Sequence, residues 1–361
     1  MKSRRPRSGG CLFRLFLTCT LIALIAAGAA AWSLTTPYQG FQTDVFLDIP
    51  HGTATGAMAT QLQKAGVIQY RWQFLLARVS RPSARLQAGE YRFDHPASVW
   101  HIFDRIVRGD VFYYELTIPE GSNIFDIAGI VAQLGFLKSA DFLRVGRDPS
   151  LIRDIAPQAS TLEGYLFPST YRLTRATTSH QLCRMMTDLF RRRWQELKKP
   201  PDMPPVHEVV TLASLIEKET GVPEERPLVA SVFKNRLRLG MQLACDPTTI
   251  YAALLEGRYR GVIHQSDLDS PNAYNTYQHA GLPPGPIASP GVASLQAALF
   301  PAETEYLYFV ARPDGSGGHH FSKTGAEHQR AVQDYRHGSS NANQGSPAPR
   351  STPAPGRRHR R

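Results

Sequence analysis

Residues 15–34 read LFLTCTLIALIAAGAAAWSL, a run without a single charge. Its length is that of a helix crossing a bilayer, about 20 residues. Lys2, Arg4, Arg5, Arg7 and Arg14 precede it with no acid among them, and no Lys or Arg follows closely. In a bacterial cell that asymmetry puts residues 1–14 in the cytoplasm as a basic tail and everything after the helix outside. A cleaved signal peptide competes, because AAGAAAW offers small residues to a peptidase. The apolar run exceeds a usual signal core of about 7–15 residues, which favours a retained anchor. Under either reading the body of the chain is exported.

The 361 residues leave room for two or three domains beyond that segment. The formal charge of +11 suggests a polyanionic partner until it is located. Five basic residues lie in 1–14 and five arginines in 338–361, so the body carries about +1 and no nucleic-acid groove is indicated. Residues 338–361, GSSNANQGSPAPRSTPAPGRRHRR, lack apolar periodicity and read as a disordered basic tail. Cys11 and Cys19 belong to the N-terminal segment, leaving Cys183 and Cys245 in the body with nothing that demands a disulfide.

An internal echo organises the first half. FLDIPHGTATGAMATQLQKAGVI and YELTIPEGSNIFDIAGIVAQLGFL share Ile-Pro-x-Gly at Ile49 and Ile118, and a glycine before two apolar residues at Gly66 and Gly135. Both pairs are offset by 69 residues, which two unrelated turns do not produce. Each copy reads as a strand, a Pro-x-Gly turn, and a helix capped by Thr53 or Ser122 that ends at the glycine. Second helices follow at RWQFLLARV and SADFLRVG. LQAGEYRF then returns as an alternating strand, and SVWHIFDRIVRGD as an amphipathic helix. Strand, helix, helix, strand is the plan of a LysM module, so residues 44–110 resemble that small peptidoglycan-binding fold, and 111–150 a second related repeat. A duplicated scaffold without a ligand is the plainer reading. From residue 151 to 337 longer helices and loops rich in Tyr, Asn and Pro take over, as in the wall of a cleft. The expected fold class is α+β: a transmembrane helix, the βααβ module and its relative, then a mixed α/β catalytic domain.

In that last region LASLIEKET places two glutamates two positions apart. At 100° per residue along a helix over 206–220, Glu217 falls near Val206, Val210 and Ala213, whereas Glu219 shares a stripe with Glu208, Leu212 and Leu215. Lys218 continues the polar line of His207, Thr211 and Ser214. A carboxyl set among aliphatic groups loses solvation in its charged form and can keep a proton to hand to a leaving oxygen. An ion pair with Arg226, Lys234 or Arg236 is the structural alternative, and the helix alone does not separate the two.

The surrounding motifs do. EGYLFPSTY (163–171), LIEKET (215–220), VFKNRL (232–237), DPTTIY (246–251), AYNTY (273–277) and GLPPGPI (281–287), followed by YLYFV and His320–Phe321, resemble in order the YceG-like family of endolytic murein transglycosylases. The resemblance implies an inner-membrane, single-pass enzyme, a lyase without a cofactor, with Glu217 essential. It further implies cutting within peptidoglycan glycan strands and terminating nascent strands beside penicillin-binding synthases.

That chemistry suits one acid. A lytic transglycosylase breaks the β-1,4 bond between N-acetylmuramic acid and N-acetylglucosamine, and the muramic 6-hydroxyl attacks its own anomeric carbon to leave a 1,6-anhydro ring. Most glycosidases need two carboxylates, but here the nucleophile belongs to the substrate. Glu163 is expected either to support Glu217 or stabilise positive charge, or else to open a helix or turn. Asn235 and Arg236 are candidates to orient Glu217 or grip acetamido and lactyl groups. Asp246 before Pro247 reads as a helix N-cap. Tyr274, Asn275, Thr276 and Tyr277 suit sugar rings, beside a stiff loop at 281–286. His320 and His328, with Asp246 or Glu327, lack a metal spacing and read better as a hydrogen-bonding pair. Cys245 departs from the family's small hydroxyl residue. Two rivals stay open: a noncatalytic peptidoglycan-binding scaffold for synthases, and a lysozyme-type hydrolase using Glu163 as second carboxylate.

Overall fold

A computed structural model describes residues 9–344, with side chains from Phe13 to His337. Helix α1 (Gly9–Thr35) opens the chain. It begins inside the segment expected to be a tail, and its Phe13–Thr35 stretch is the one span among the described residues long and apolar enough to cross a membrane. Phe16, Ile22, Ile25 and Trp32 on it are all exposed, which in water is costly and in hydrocarbon is not.

The chain divides into two compact units, one comprising residues 1–115 and 172–176, the other 116–171 and 177–361. In the first unit, β1 (Val45–Ile49), α2 (Thr55–Lys64), α3 (Arg71–Ser80) and β2 (Gly89–Phe93) precede α4 (Val99–Arg108). β1 and β2 run antiparallel with Val45 opposite Phe93 and Ile49 opposite Gly89. The helical period of α4 buries Val99, Ile102, Phe103 and Ile106, which join Leu62, Phe74 and Tyr91 in one core. Thr53 and Ser122 are not the caps that the sequence suggests. The N-caps are Ala54 and Asn123, one residue later, and the two hydroxyls instead donate back to Pro50 O and Pro119 O. Gly66 and Gly135 follow the ends of their helices, at Lys64 and Ala132, with positive φ, 72° and 76°.

The second copy has the same order of elements: β3 (Tyr114–Ile118), α5 (Ile124–Ala132), α6 (Ser139–Gly146) and β4 (Ser169–Leu173), with β3 paired to β4. Its return strand therefore lies well beyond residue 150, and the division of the chain falls at 115/116 rather than near 150. The reason is local: the 119–124 turn is hydrogen-bonded into the downstream region, through Gly121 N–H to Ser289 O and Ser289 N–H to Ser122 O, both 2.9 Å.

The remaining elements are α7 (Ser179–Glu196), α8 (Val206–Glu219), α9 (Arg226–Arg238), α10 (Asp246–Leu255), a single turn α11 (Gln265–Leu268), α12 (Val292–Leu299), the antiparallel hairpin β5 (Tyr308–Ala311) and β6 (His319–Ser322), and α13 (Gly325–Gln344). α12 packs on both α8 and α9, and Leu215, Ile216, Val229, Phe233, Tyr251 and Ala297 meet in their core. The tail expected from residue 338 is helical as far as Gln344 because α13 continues through it. Residues 345–361 lie outside the described residues.

Candidate active site

Helix α8 is buried on nearly every side: Val209, Val210, Thr211, Ala213, Ser214, Leu215 and Ile216 are all inaccessible. The polar line read along it is therefore internal rather than solvated. Thr211 and Ser214 donate to the helix carbonyls of His207 and Thr211, and Ser214 Oγ also accepts Ile287 N–H at 3.1 Å. His207 bonds Tyr165 OH through Nδ1 (3.0 Å) and Pro284 O through Nε2 (2.9 Å). These contacts fix the 281–287 loop and the EGYLF segment to α8.

Glu217 sits in the last turn with 6% of its side chain exposed. Oε2 accepts the Gly291 N–H at 2.8 Å, and Oε1 faces Arg226 Nη2 at 3.5 Å. Arg226, reached from the first residue of α9, is the ion-pair partner that sequence offered as the alternative; Lys234 and Arg236 are not. Glu217 is thus a nearly buried carboxylate and an ion-paired one. Lys218 points away and donates to Gly121 O at 3.2 Å.

Glu219 is buried elsewhere, taking the Cys245 thiol at 2.8 Å. Burial raises its carboxyl above the usual range, despite that hydrogen bond. Burial also pushes the Cys245 thiol up, together with the Glu219 charge, so the sulfur acts as an unreactive donor in place of a hydroxyl. Glu163 is 1% exposed. Its Oε2 accepts Ile124 N–H (2.9 Å), the first residue of α5, and Tyr251 OH (3.0 Å), while Oε1 is buried without a donor. Burial pushes the Glu163 carboxyl up to about 7, against the pull of the two bonds.

Several expected binding residues have structural partners instead. Asn235 Nδ2 donates to Thr304 O and Tyr306 O, and Arg236 to Leu307 O and Leu243 O, with its guanidinium over Tyr308. Neither orients Glu217; both pin the backbone leading into β5. Asn275, fully buried, donates to Leu268 O and Ser270 O and accepts Tyr277 N–H, and Thr276 is as buried. Tyr274 is half-buried against Tyr251, ring centroids 5.0 Å apart. Asp246 is the first residue of α10 rather than its cap, because Cys245 takes the N-cap position, and its carboxylate accepts Tyr277 OH at 2.6 Å. His320 is exposed and does not pair with His328. His319, one step along the strand, turns inward to bond Glu225 at 2.7 Å, and His328 stacks on Tyr308. Among the described residues no three His, Cys, Asp or Glu side chains gather as a metal site.

Sequence reasoning missed Glu120 and Gly291. Glu120 is exposed on the turn after β3, and its carboxylate lies directly on Gly291, where a Cβ would fall 2.0 Å from Oε1. The signal available was the variable position of the repeated Ile-Pro-x-Gly, which is His51 in the first copy and Glu120 in the second.

One apolar leading helix and a mixed region of helices and small antiparallel sheets define the class, an α/β chain with one membrane-spanning-type helix. The YceG-like family model matches residues 47–334, and the chain belongs to that family. It is 32% identical over 335 residues to the endolytic murein transglycosylase of Bacillus subtilis strain 168, covering 86% of this chain and 91% of that one. The protein of the same description from Streptococcus pneumoniae strain D39 is 29% identical over 324 residues, 81% of this chain and 58% of the relative. A crystal structure of a yceG-like protein from Listeria monocytogenes superimposes with a TM-score of 0.51 at 32% identity, covering 80% of this chain and 99% of its own.

Proposed function

We propose that the chain is a membrane-tethered lytic transglycosylase that cuts within peptidoglycan glycan strands and leaves 1,6-anhydro-N-acetylmuramic ends. The observation that carries this is Glu217, almost buried yet held by one backbone N–H and one guanidinium. Those two contacts orient the carboxyl, and the proton it carries in its reactive form passes to the oxygen leaving the anomeric carbon. The muramic 6-hydroxyl closes the ring, and no water or cofactor takes part. The relatives named endolytic murein transglycosylases support the same reading. Glu163, the second carboxylate weighed for a lysozyme-type hydrolase, is buried with Oε2 bonded to Ile124 and Tyr251, which favours the lyase over a hydrolase built on Glu163.

The antiparallel βααβ arrangement of the first unit supports a LysM-like module there. A cavity of about 570 Å³ lies between its two connecting segments, lined by Pro50, His51, Thr53, Arg78, Pro82 and Leu86, and is the place for glycan. We further read α1 as a retained inner-membrane anchor with the two units in the periplasm, acting beside penicillin-binding synthases to end nascent strands, and with no nucleic-acid partner.

The test is mass spectrometry of products from purified peptidoglycan, with the unchanged chain, Glu217→Gln and Glu219→Gln. Anhydro ends lost with the first change and kept with the second support the reading. Reducing ends point to a hydrolase, and intact glycan despite binding points to a scaffold.

A further inference from the structure

Two carboxyls meet at Gly291. Its N–H bonds Glu217 Oε2 at 2.8 Å, and the carboxylate of Glu120 rests on its Cα, where a Cβ would fall 2.0 Å from Oε1 and 2.7 Å from Oε2. With standard bond lengths, those contacts bring the two carboxyls within about 7 Å of each other, a spacing at which paired acids can flank one glycosidic bond. The 119–122 turn is not free to swing away. It is tied to the segment before α12 through Gly121 and Ser289, and to α8 through Lys218.

The two differ in availability. Glu217 is committed at both oxygens, whereas among the described residues no donor bonds Glu120, and its side chain is exposed. We propose that Glu120 is a second catalytic residue of this site, the base that takes the proton of the attacking hydroxyl; this rests on the lytic reading above.

The step balances as follows. Glu217 gives its proton to the glycosidic oxygen, the C1–O4 bond breaks, and its electron pair stays on that oxygen. The muramic O6 forms the C1–O6 bond while its proton passes to the Glu120 carboxylate. Glu120 then returns a proton to Glu217 across the short gap, and both groups are reset. Partial burial raises the Glu120 carboxyl above its ordinary range, and the Glu217 charge raises it further once Glu217 has given up its proton, with Arg226 pulling the other way. That direction makes it a better proton acceptor. Glycine at 291 fits this assignment, because its φ of −77° is open to any residue, so the space taken by Glu120, and not backbone strain, requires it.

The experiment uses the full chain in detergent on purified glycan strands, with Glu120→Gln, Glu120→Ala and Glu217→Gln. The expected result is that Glu120→Gln forms anhydro ends about a hundredfold more slowly, binds strands as tightly as the unchanged chain, and melts at the same temperature. Added formate, a small carboxylate, restores part of the rate to Glu120→Ala. A Glu120→Gln rate within about threefold of the unchanged chain, beside an inactive Glu217→Gln, overturns the assignment alone. Weakened strand binding with no formate rescue also overturns it, making Glu120 a binding group. Reducing ends in place of anhydro ends from the unchanged chain overturn the lytic reading and, with it, the hydroxyl as proton donor.

Discussion

Replacing Glu163 by Gln isolates the electrostatics of one buried carboxyl. The amide oxygen keeps both bonds, from Ile124 N–H and Tyr251 OH, and removes only the ability to ionise. Burial moves the folded-state value from 4.5 to about 7, so between those limits the folded chain holds a proton that the unfolded chain releases. Stability from this group is complete below about pH 4.5, falls as pH rises, and is lost once pH passes about 7. At about 1.36 kcal/mol per unit, the loss amounts to about 3 kcal/mol. The variant has no such dependence, so unchanged chain minus variant should decline by that amount from about pH 4.5 to about pH 8. Every other titrating group cancels in the difference. The assay is urea unfolding in a background with Trp32, Trp72 and Trp100 changed to Phe, leaving Trp194 to report on the second unit. A difference constant to within about 0.5 kcal/mol across the window refutes the reasoning.

Gly291→Ala keeps the N–H that Glu217 accepts but drives a methyl into the Glu120 carboxylate; turnover should fall about a hundredfold with the melting temperature little changed, and turnover within threefold of the unchanged chain counts against it. Gly164 holds φ +83° and a Cβ there would meet Pro286 at 2.4 Å, so Gly164→Ala should cost about 3 kcal/mol in urea unfolding of the second unit. Asn235→Ala removes two bonds to the 304–306 backbone and should cost about 2 kcal/mol. It should also speed hydrogen exchange there while leaving the product pattern unchanged, and a changed pattern would restore a substrate role.

Periodicity along α8 left Glu217 between an acid and an ion pair, and it was the ordered motifs around the helix that pointed to the acid. The repeat was legible because turn chemistry is local: proline, glycine and the residue between them constrain the backbone without help from distant chain. What sequence did not show were contacts made at long separation. Glu120 and Gly291 lie 171 positions apart, and only folding brings them together. Asn235, Arg236 and Asn275 were read as substrate-facing because polar side chains in motifs invite it, yet buried backbone carbonyls claim them. His319 was not singled out although it is the inward one: adjacent strand residues face opposite ways, and the HH pair gives no hint of which way is inward.

Unit one closes late. Glu90 is 5% exposed and its only ion-pair partner among the described residues is Arg175, at 3.0 Å, which the chain supplies more than eighty residues later. A chain threaded across a membrane from its anchored end onward would hold that carboxylate uncompensated until residue 176 had emerged. The module would thus pass through export in an unfinished form, pliable while it leaves the translocation pore and rigid only after the second strand pair has been delivered. A fragment ending near residue 110 would remain permanently at that earlier stage.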